Sequence, residues 1–211
     1  MERGKFIVLE GINGCGKNSQ IHLLSRFLYD FNIAEAIAIT KEPNELDEYG
    51  KKARQMLASD GDPYKNARQA VEFFAKNRGT HNRLINYLIE NGVHVVSNRY
   101  WHSNFAFQHA QGISYEDIAS ANKGLIVPDL TIILDIPVNV AFERLDGRDG
   151  DKRRKFDSLV EFMEKVRRNY LELSTILPRL IGDESISIID GTPSVDKVGR
   201  KIIEQYQRRF E

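Results

Sequence analysis

"LEGINGCGKNSQ", residues 9–20, decides how this chain is read. Gly11, Gly16 and Lys17 keep the frame of a phosphate-binding loop: glycine, four residues, then glycine-lysine. In such a loop glycines let the backbone curl until its N–H groups point inward at an anion. The pattern ordinarily closes on Ser or Thr, whose hydroxyl holds magnesium. Here Asn18 stands in that place.

The flanks suit the loop. "KFIVLE" (5–10) reads as a buried strand, and residues 17–31 read as an amphipathic helix. The helix start adds the positive end of its dipole, and Lys17 supplies a point charge for terminal phosphates. Gly11, Ile12, Asn13, Gly14, Cys15, Gly16, Lys17, Asn18 and Ser19 are therefore the candidate nucleotide cradle. The Asn18 carbonyl is a possible ligand for a hard cation. Ser19 lies about 100° further round the helix and is poorly placed to replace a lost hydroxyl.

Beyond the loop, short β-branched runs alternate with long amphipathic stretches. "AIAIT" (36–40), "HVVSN" (94–98), "LTIILDI" (130–136) and "ISIID" (186–190) join 5–10 as predicted strands. Predicted helices cover 17–31, 46–59, 65–91, 115–123, 138–146, 157–177 and 194–208. Such alternation implies an α/β fold in three layers, a five-stranded parallel sheet flanked by helices. Ligands on these sheets sit at the carboxyl ends of the strands. That directs attention to the connections 11–17, 41–45, 98–108 and 190–193. The polar segment 147–156, "GRDGDKRRKF", lacks periodicity and reads as a small lid.

Composition narrows the function. With 211 residues, the chain suits a single domain, 1–211, with a sizeable core. Lys plus Arg equals Asp plus Glu at 30 each, which argues against a nucleic-acid partner. Apolar runs are too short for a signal peptide or membrane span, and the single cysteine excludes an internal disulfide framework. A cytoplasmic setting with no membrane partner is the expectation.

Four further stretches resemble one family in order and spacing. "TKEPN" (40–44), "FFAKNRGTH" (73–81), "SNRYWHSNFAFQ" (97–108) and "PDLTIILDIP" (128–137) are similar to motifs of the thymidylate kinases. With the loop and "EFMEKVRRNYLEL" (161–173), the resemblance spans nearly the whole chain. It implies a phosphate-loop kinase fold, transfer of the γ-phosphate of ATP to dTMP with Mg2+, and a homodimer. It assigns Lys17 and Arg99 to the phosphates, with Arg148 or Arg153 of the segment 147–156 closing over the transferring group. It assigns Asn13, Glu42, Pro43, Arg54, Phe74, Arg78, Arg99, Ser103, Phe107 and Gln108 to the acceptor. Phe74 would stack on the base and Arg78 would bond a base oxygen. Their spacing of four puts both on one helix face. One ring of the Phe73–Phe74 pair is expected in the core.

The chain departs from the family in its amides. Asn13, Asn77 and Asn98 stand where acids are usual, and Asn44 replaces a glycine. Asn18 and Asn98 are the candidate metal positions. Together they remove a hydroxyl ligand and a negative charge, with Glu10, Glu42 and Asp135 remaining near the strand ends to compensate. A weakened nucleotide-binding relative and a kinase for another pyrimidine acceptor stand as alternatives.

Overall fold

The computed structural model describes residues 2–58, 64–149 and 160–211. Five strands form one sheet: β1 (Phe6–Glu10), β2 (Ile37–Lys41), β3 (His94–Asn98), β4 (Leu130–Asp135) and β5 (Ile186–Asp190). Their order is β2-β3-β1-β4-β5, and every pairing is parallel. β1 is buried along its whole length, its apolar run Phe6–Leu9 and the terminal Glu10 alike. The register sets Leu9 beside Asn98 and Glu10 beside Ile133. The ends of β3, β1 and β4 therefore rise together, and the chain leaves β1 directly into the glycine loop.

Helices cover both faces: α1 (Lys17–Asp30), α2 (Glu48–Ala58), α3 (Ala67–Glu90), α4 (Trp101–Ala110), α5 (Tyr115–Ala121), α6 (Val138–Asp149), α7 (Val160–Ile181) and α8 (Val195–Phe210). α1 packs beside α8, and α4 lies along α7. This is the three-layer architecture that the strand-helix alternation predicts.

Four expectations need correction. Residues 101–108, expected as a connection, belong to helix α4. Its sequence hides the helix because Trp101, His102, Asn104, Phe105, Ala106 and Gln108 are all buried, so no polar face marks the period. α6 runs on to Asp149, so residues 147–149 of the expected lid are helical, and the rest of that segment lies outside the described residues. α7 continues past Pro178 to Ile181; one backbone hydrogen bond is lost, but buried Leu177 keeps the last turn packed. Finally, neither Phe73 nor Phe74 is a core residue, since both are half-buried. Phe73 packs on Tyr49, with ring centroids 6.4 Å apart.

A buried histidine–carboxylate contact fastens the first turn of α4 to the entry of β5. His102 Nε2 lies 2.9 Å from Asp183 Oδ2, and both side chains are fully buried. Trp101 Nε1 donates to the same oxygen at 3.2 Å, and Ser185 donates to Asp183 Oδ1 through N and Oγ. Burial by itself would raise the Asp183 pKa. The hydrogen bond and charge of His102, with the Ser185 donors, outweigh it and hold the carboxyl at about 2. A folded-state value below the ordinary 3.8 gives stability that is present above about pH 4 and lost as pH falls toward about 2. Urea denaturation should therefore show Asp183→Asn to be less stable at neutral pH, with a flatter decline than the parent across that window. A parent curve no steeper than that of the variant would contradict this assignment.

Candidate active site

The loop conformation explains its glycines. Gly11 has φ +127°, and a Cβ there would meet Leu134 O at 2.5 Å; Gly14 has φ +83° and would meet Ala141 O at 2.6 Å. The loop is thus pressed against β4 and α6. Gly16 precedes α1 and offers no side-chain cap, so the first amides of the helix remain as donors for an anion. Lys17 is buried and folds across the loop. Its Nζ donates to Gly11 O at 2.9 Å and Ile12 O at 3.0 Å, with Cys15 Sγ at 3.5 Å. Burial, with the nearby Arg99 charge, lowers its pKa to about 8. A polyanion in the loop would reverse that penalty.

The unusual asparagines turn out to be paired. Asn98 Nδ2 at the end of β3 donates to Asn18 Oδ1 in the first turn of α1, at 2.5 Å. Asn98 Oδ1 is buried with no hydrogen-bond partner. Asn77 of α3 accepts from Asn44 N at 3.1 Å and donates to Asn44 O at 3.0 Å, clamping the loop after β2. Asn13 Oδ1 accepts from Arg99 Nη2 at 2.7 Å.

One cavity gathers Asn13, Glu42, Pro43, Arg54, Phe74, Arg78, Arg99, Ser103, Phe107 and Gln108 from the loop, the end of β2, α2, α3 and α4. Leu57, Tyr100 and Asn104 also line it and carried no signal by themselves. Arg54 lies at its edge, with Nε donating to Glu45 at 3.2 Å. Arg78 is buried, and Nε donates to Glu42 Oε2 at 2.6 Å. The other Glu42 oxygen lies 3.1 Å from His81 Nδ1.

Arg78 also fixes the polarity of the cavity floor. Its guanidinium donates and never accepts, so Asn104 turns its oxygen toward it, at 2.6 Å. Asn104 Nδ2 then donates to Gln108 Oε1 at 2.8 Å, and Gln108 Nε2 donates to Gln111 Oε1 at 3.0 Å. Each amide is oriented by the one before it. Asn104 and Gln108 thus face the cavity with orientations set, one after the other, from Arg78.

Arg99 stands between loop and cavity. Nη1 donates to Ser103 Oγ and Tyr170 OH, each at 3.0 Å, and its guanidinium lies 5.5 Å from the Phe107 ring centre. The carboxylates expected to compensate at a metal site are occupied. Glu10 accepts from α4 amides and two hydroxyls, Glu42 holds Arg78 and His81, and Asp135 holds Arg167 at 2.6 and 2.9 Å. Among the described residues no cluster of three His, Cys, Asp or Glu side chains could hold a metal ion. Ser19 is exposed on α1. Arg148 lies on the helical backbone of α6, while Arg153 lies outside the described residues. Arg167 and Tyr170 of α7 were not singled out from the sequence, although their spacing of three puts them on one helix face.

The family model described as thymidylate kinase matches residues 9–202. A probable thymidylate kinase of Thermococcus gammatolerans is 33% identical over 208 residues, covering 95% of this chain and 94% of that protein. A thymidylate kinase of Carboxydothermus hydrogenoformans is 34% identical over 203 residues, covering 93% of each. The solved structure of a thymidylate kinase from Candida albicans shares the fold, with a TM-score of 0.75 at 24% identity over 99% of this chain and 94% of that one. A phosphate loop opening beside a cavity that collects ten motif residues, and a sequence match over nearly the whole chain, lead to one statement: this chain belongs to the thymidylate kinase family.

Proposed function

We propose that this protein transfers the γ-phosphate of ATP to dTMP, giving dTDP, in one domain spanning residues 1–211. The observation that carries the reading is Arg99, placed where the phosphate loop meets the cavity. In this reading the loop amides and Lys17 hold the terminal phosphates of ATP, and Arg99 spans donor and acceptor phosphates as a forked donor. Arg54 takes the acceptor phosphate, Phe74 stacks on the base, and Arg78 with the oriented amides meets a base carbonyl. Phe107 fills the space beside the sugar, which favours a deoxyribose. Arg148 and Arg153, in or beside a lid over about 147–156, are the candidates for closing over the transferring group. No observation favours a catalytically silent nucleotide-binding protein.

Mg2+ belongs to this chemistry, neutralising phosphate charge as the transfer proceeds. The residues present fit it as neutral ligands. The amide oxygens of Asn18 and Asn98 are hard donors, and the buried Asn98 Oδ1 has no hydrogen-bond partner. They bring no negative charge, so most of the ion's anionic ligation would come from the nucleotide. A homodimer and a cytoplasmic location are proposed on the family likeness. Among the described residues no helix is long and apolar enough to cross a membrane.

A coupled ADP-release assay with ATP, magnesium and a panel of nucleoside monophosphates tests the activity. ADP should form with dTMP or dUMP and far less with purine monophosphates. Lys17→Ala should lower the rate by about a hundredfold or more without loss of folding. A Lys17→Ala enzyme of undiminished rate removes the phosphate-loop assignment.

The amide pair gives a separate expectation. Asn18→Ser and Asn98→Asp should each lower the magnesium concentration needed for half-maximal rate, by about tenfold or more. Both act on one ion, so the double variant should be non-additive. Titration of magnesium against rate decides the matter: an unmoved requirement in both single variants places these side chains outside the metal shell.

A further inference from the structure

Arg99 is held in a costly backbone conformation. Its φ is +77°, a region that residues with side chains seldom adopt. Two groups hold the bend. Ser97 Oγ donates to Arg99 O at 2.7 Å. Glu10, fully buried at the end of β1, accepts from Tyr100 N at 2.8 Å and Ser103 N at 3.1 Å with Oε1. The same carboxylate therefore fixes the start of α4 and lies directly beneath the arginine.

An arginine this near a carboxylate ordinarily closes into a fork, with N–O distances of about 2.7–2.9 Å. The protein contains such a fork nearby: Arg167 meets Asp135 at 2.6 and 2.9 Å. Arg99 and Glu10 do not form one. Arg99 Nη1 stays 3.7 Å from Glu10 Oε2. Two hydroxyls fill the gap side by side. Tyr170 OH donates to Glu10 Oε2 at 2.9 Å and accepts from Arg99 at 3.0 Å. Ser103 Oγ donates to the same oxygen at 2.8 Å and accepts from Arg99 at 3.0 Å. The Tyr170 ring is buried and meets Phe107 edge-on, so the hydroxyl is held from below. Burial, then the Glu10 charge, pushes its pKa well up, which keeps the proton that Glu10 accepts.

We propose that Tyr170 is a positioning residue whose hydroxyl, with that of Ser103, spaces Arg99 from Glu10 and keeps the guanidinium turned toward substrate phosphate. The hydroxyls transmit attraction from the carboxylate but deny it the fork. Without Tyr170 OH, the guanidinium gains a short path to Glu10 and turns away from the cavity. The role of Arg99 toward phosphate rests on the function proposed above.

Tyr170→Phe removes the oxygen and keeps the ring. Calorimetry with dTMP, and separately with ATP, should show dTMP affinity reduced by about tenfold, the loss expected for one bond to a charged group, with ATP affinity within about twofold of the parent. The KM for dTMP should rise in step. Ser103→Ala, which removes the parallel hydroxyl, should show the same split and serves if Tyr170→Phe folds poorly. Glu10→Gln removes the charge that would capture Arg99, so adding it to Tyr170→Phe should return dTMP affinity toward the parent value. A purely structural tyrosine would give equal losses for both nucleotides, or losses that add in the double variant. Either result overturns the proposal, as does unchanged dTMP binding. A parent protein that neither binds nor phosphorylates dTMP overturns the proposed function itself, and the spacer role falls with it. A working parent with an indifferent Tyr170 removes only the spacer.

Discussion

A carboxylate sealed inside a protein must be met by donors, or folding bears the cost of its lost hydration. Glu10 is sealed completely, at the carboxyl end of the central strand. Its donors come from two helices distant in sequence: the opening amides and a serine of α4, and a tyrosine of α7. Those helices pack along each other, and the bend that carries Arg99 is drawn tight between them. The cavity wall built by α4 and the arginine at its mouth thus share one anchor. Moving that carboxylate would disturb both.

Much of the fold was legible because its signals are local. The strands announced themselves as apolar runs, and the glycine loop marked which strand leads into the phosphate site. Helix α4 was not legible, because burial on all sides erased the polar stripe that marks a helix. The end of α7 was misread because Pro178 usually stops a helix, whereas here the buried turn around Leu177 holds past it. The cavity was legible through family motifs more than through chemistry. Phe74 and Arg78 shared a visible helical spacing, but Arg54 and Gln108 had no intrinsic mark. Tyr170 and Arg167 escaped notice because their partners, Glu10 and Asp135, lie far away in sequence.

The asparagines teach a related lesson. Read singly, Asn13, Asn18, Asn44, Asn77 and Asn98 looked like separate losses of acid, hydroxyl or glycine. In the structure Asn44 bonds Asn77, Asn18 bonds Asn98, and Asn13 serves Arg99. An amide offers both a donor and an acceptor, so it can bond a second amide or a peptide group without charge. The outcome is a site lower in negative charge than one built on carboxylates. Around Arg99 that works in one direction: Asn13 accepts without neutralising, and Glu10 is kept at a distance.

The folded-back lysine has a thermodynamic consequence. Lys17 already holds two carbonyl oxygens of the loop it serves. A phosphate bound there would displace native contacts as it made its own, so its affinity would be a difference between two filled states. Part of the enthalpy gained from the phosphate is offset by the bonds broken. The remaining drive falls more heavily on desolvation and on the helix amides, which have no side-chain cap. The ammonium already lies within the loop, so it would need no search through solvent before engaging a phosphate there. An exchange of this kind would keep the net affinity modest, which would suit a loop that gives up its nucleotide after each turnover.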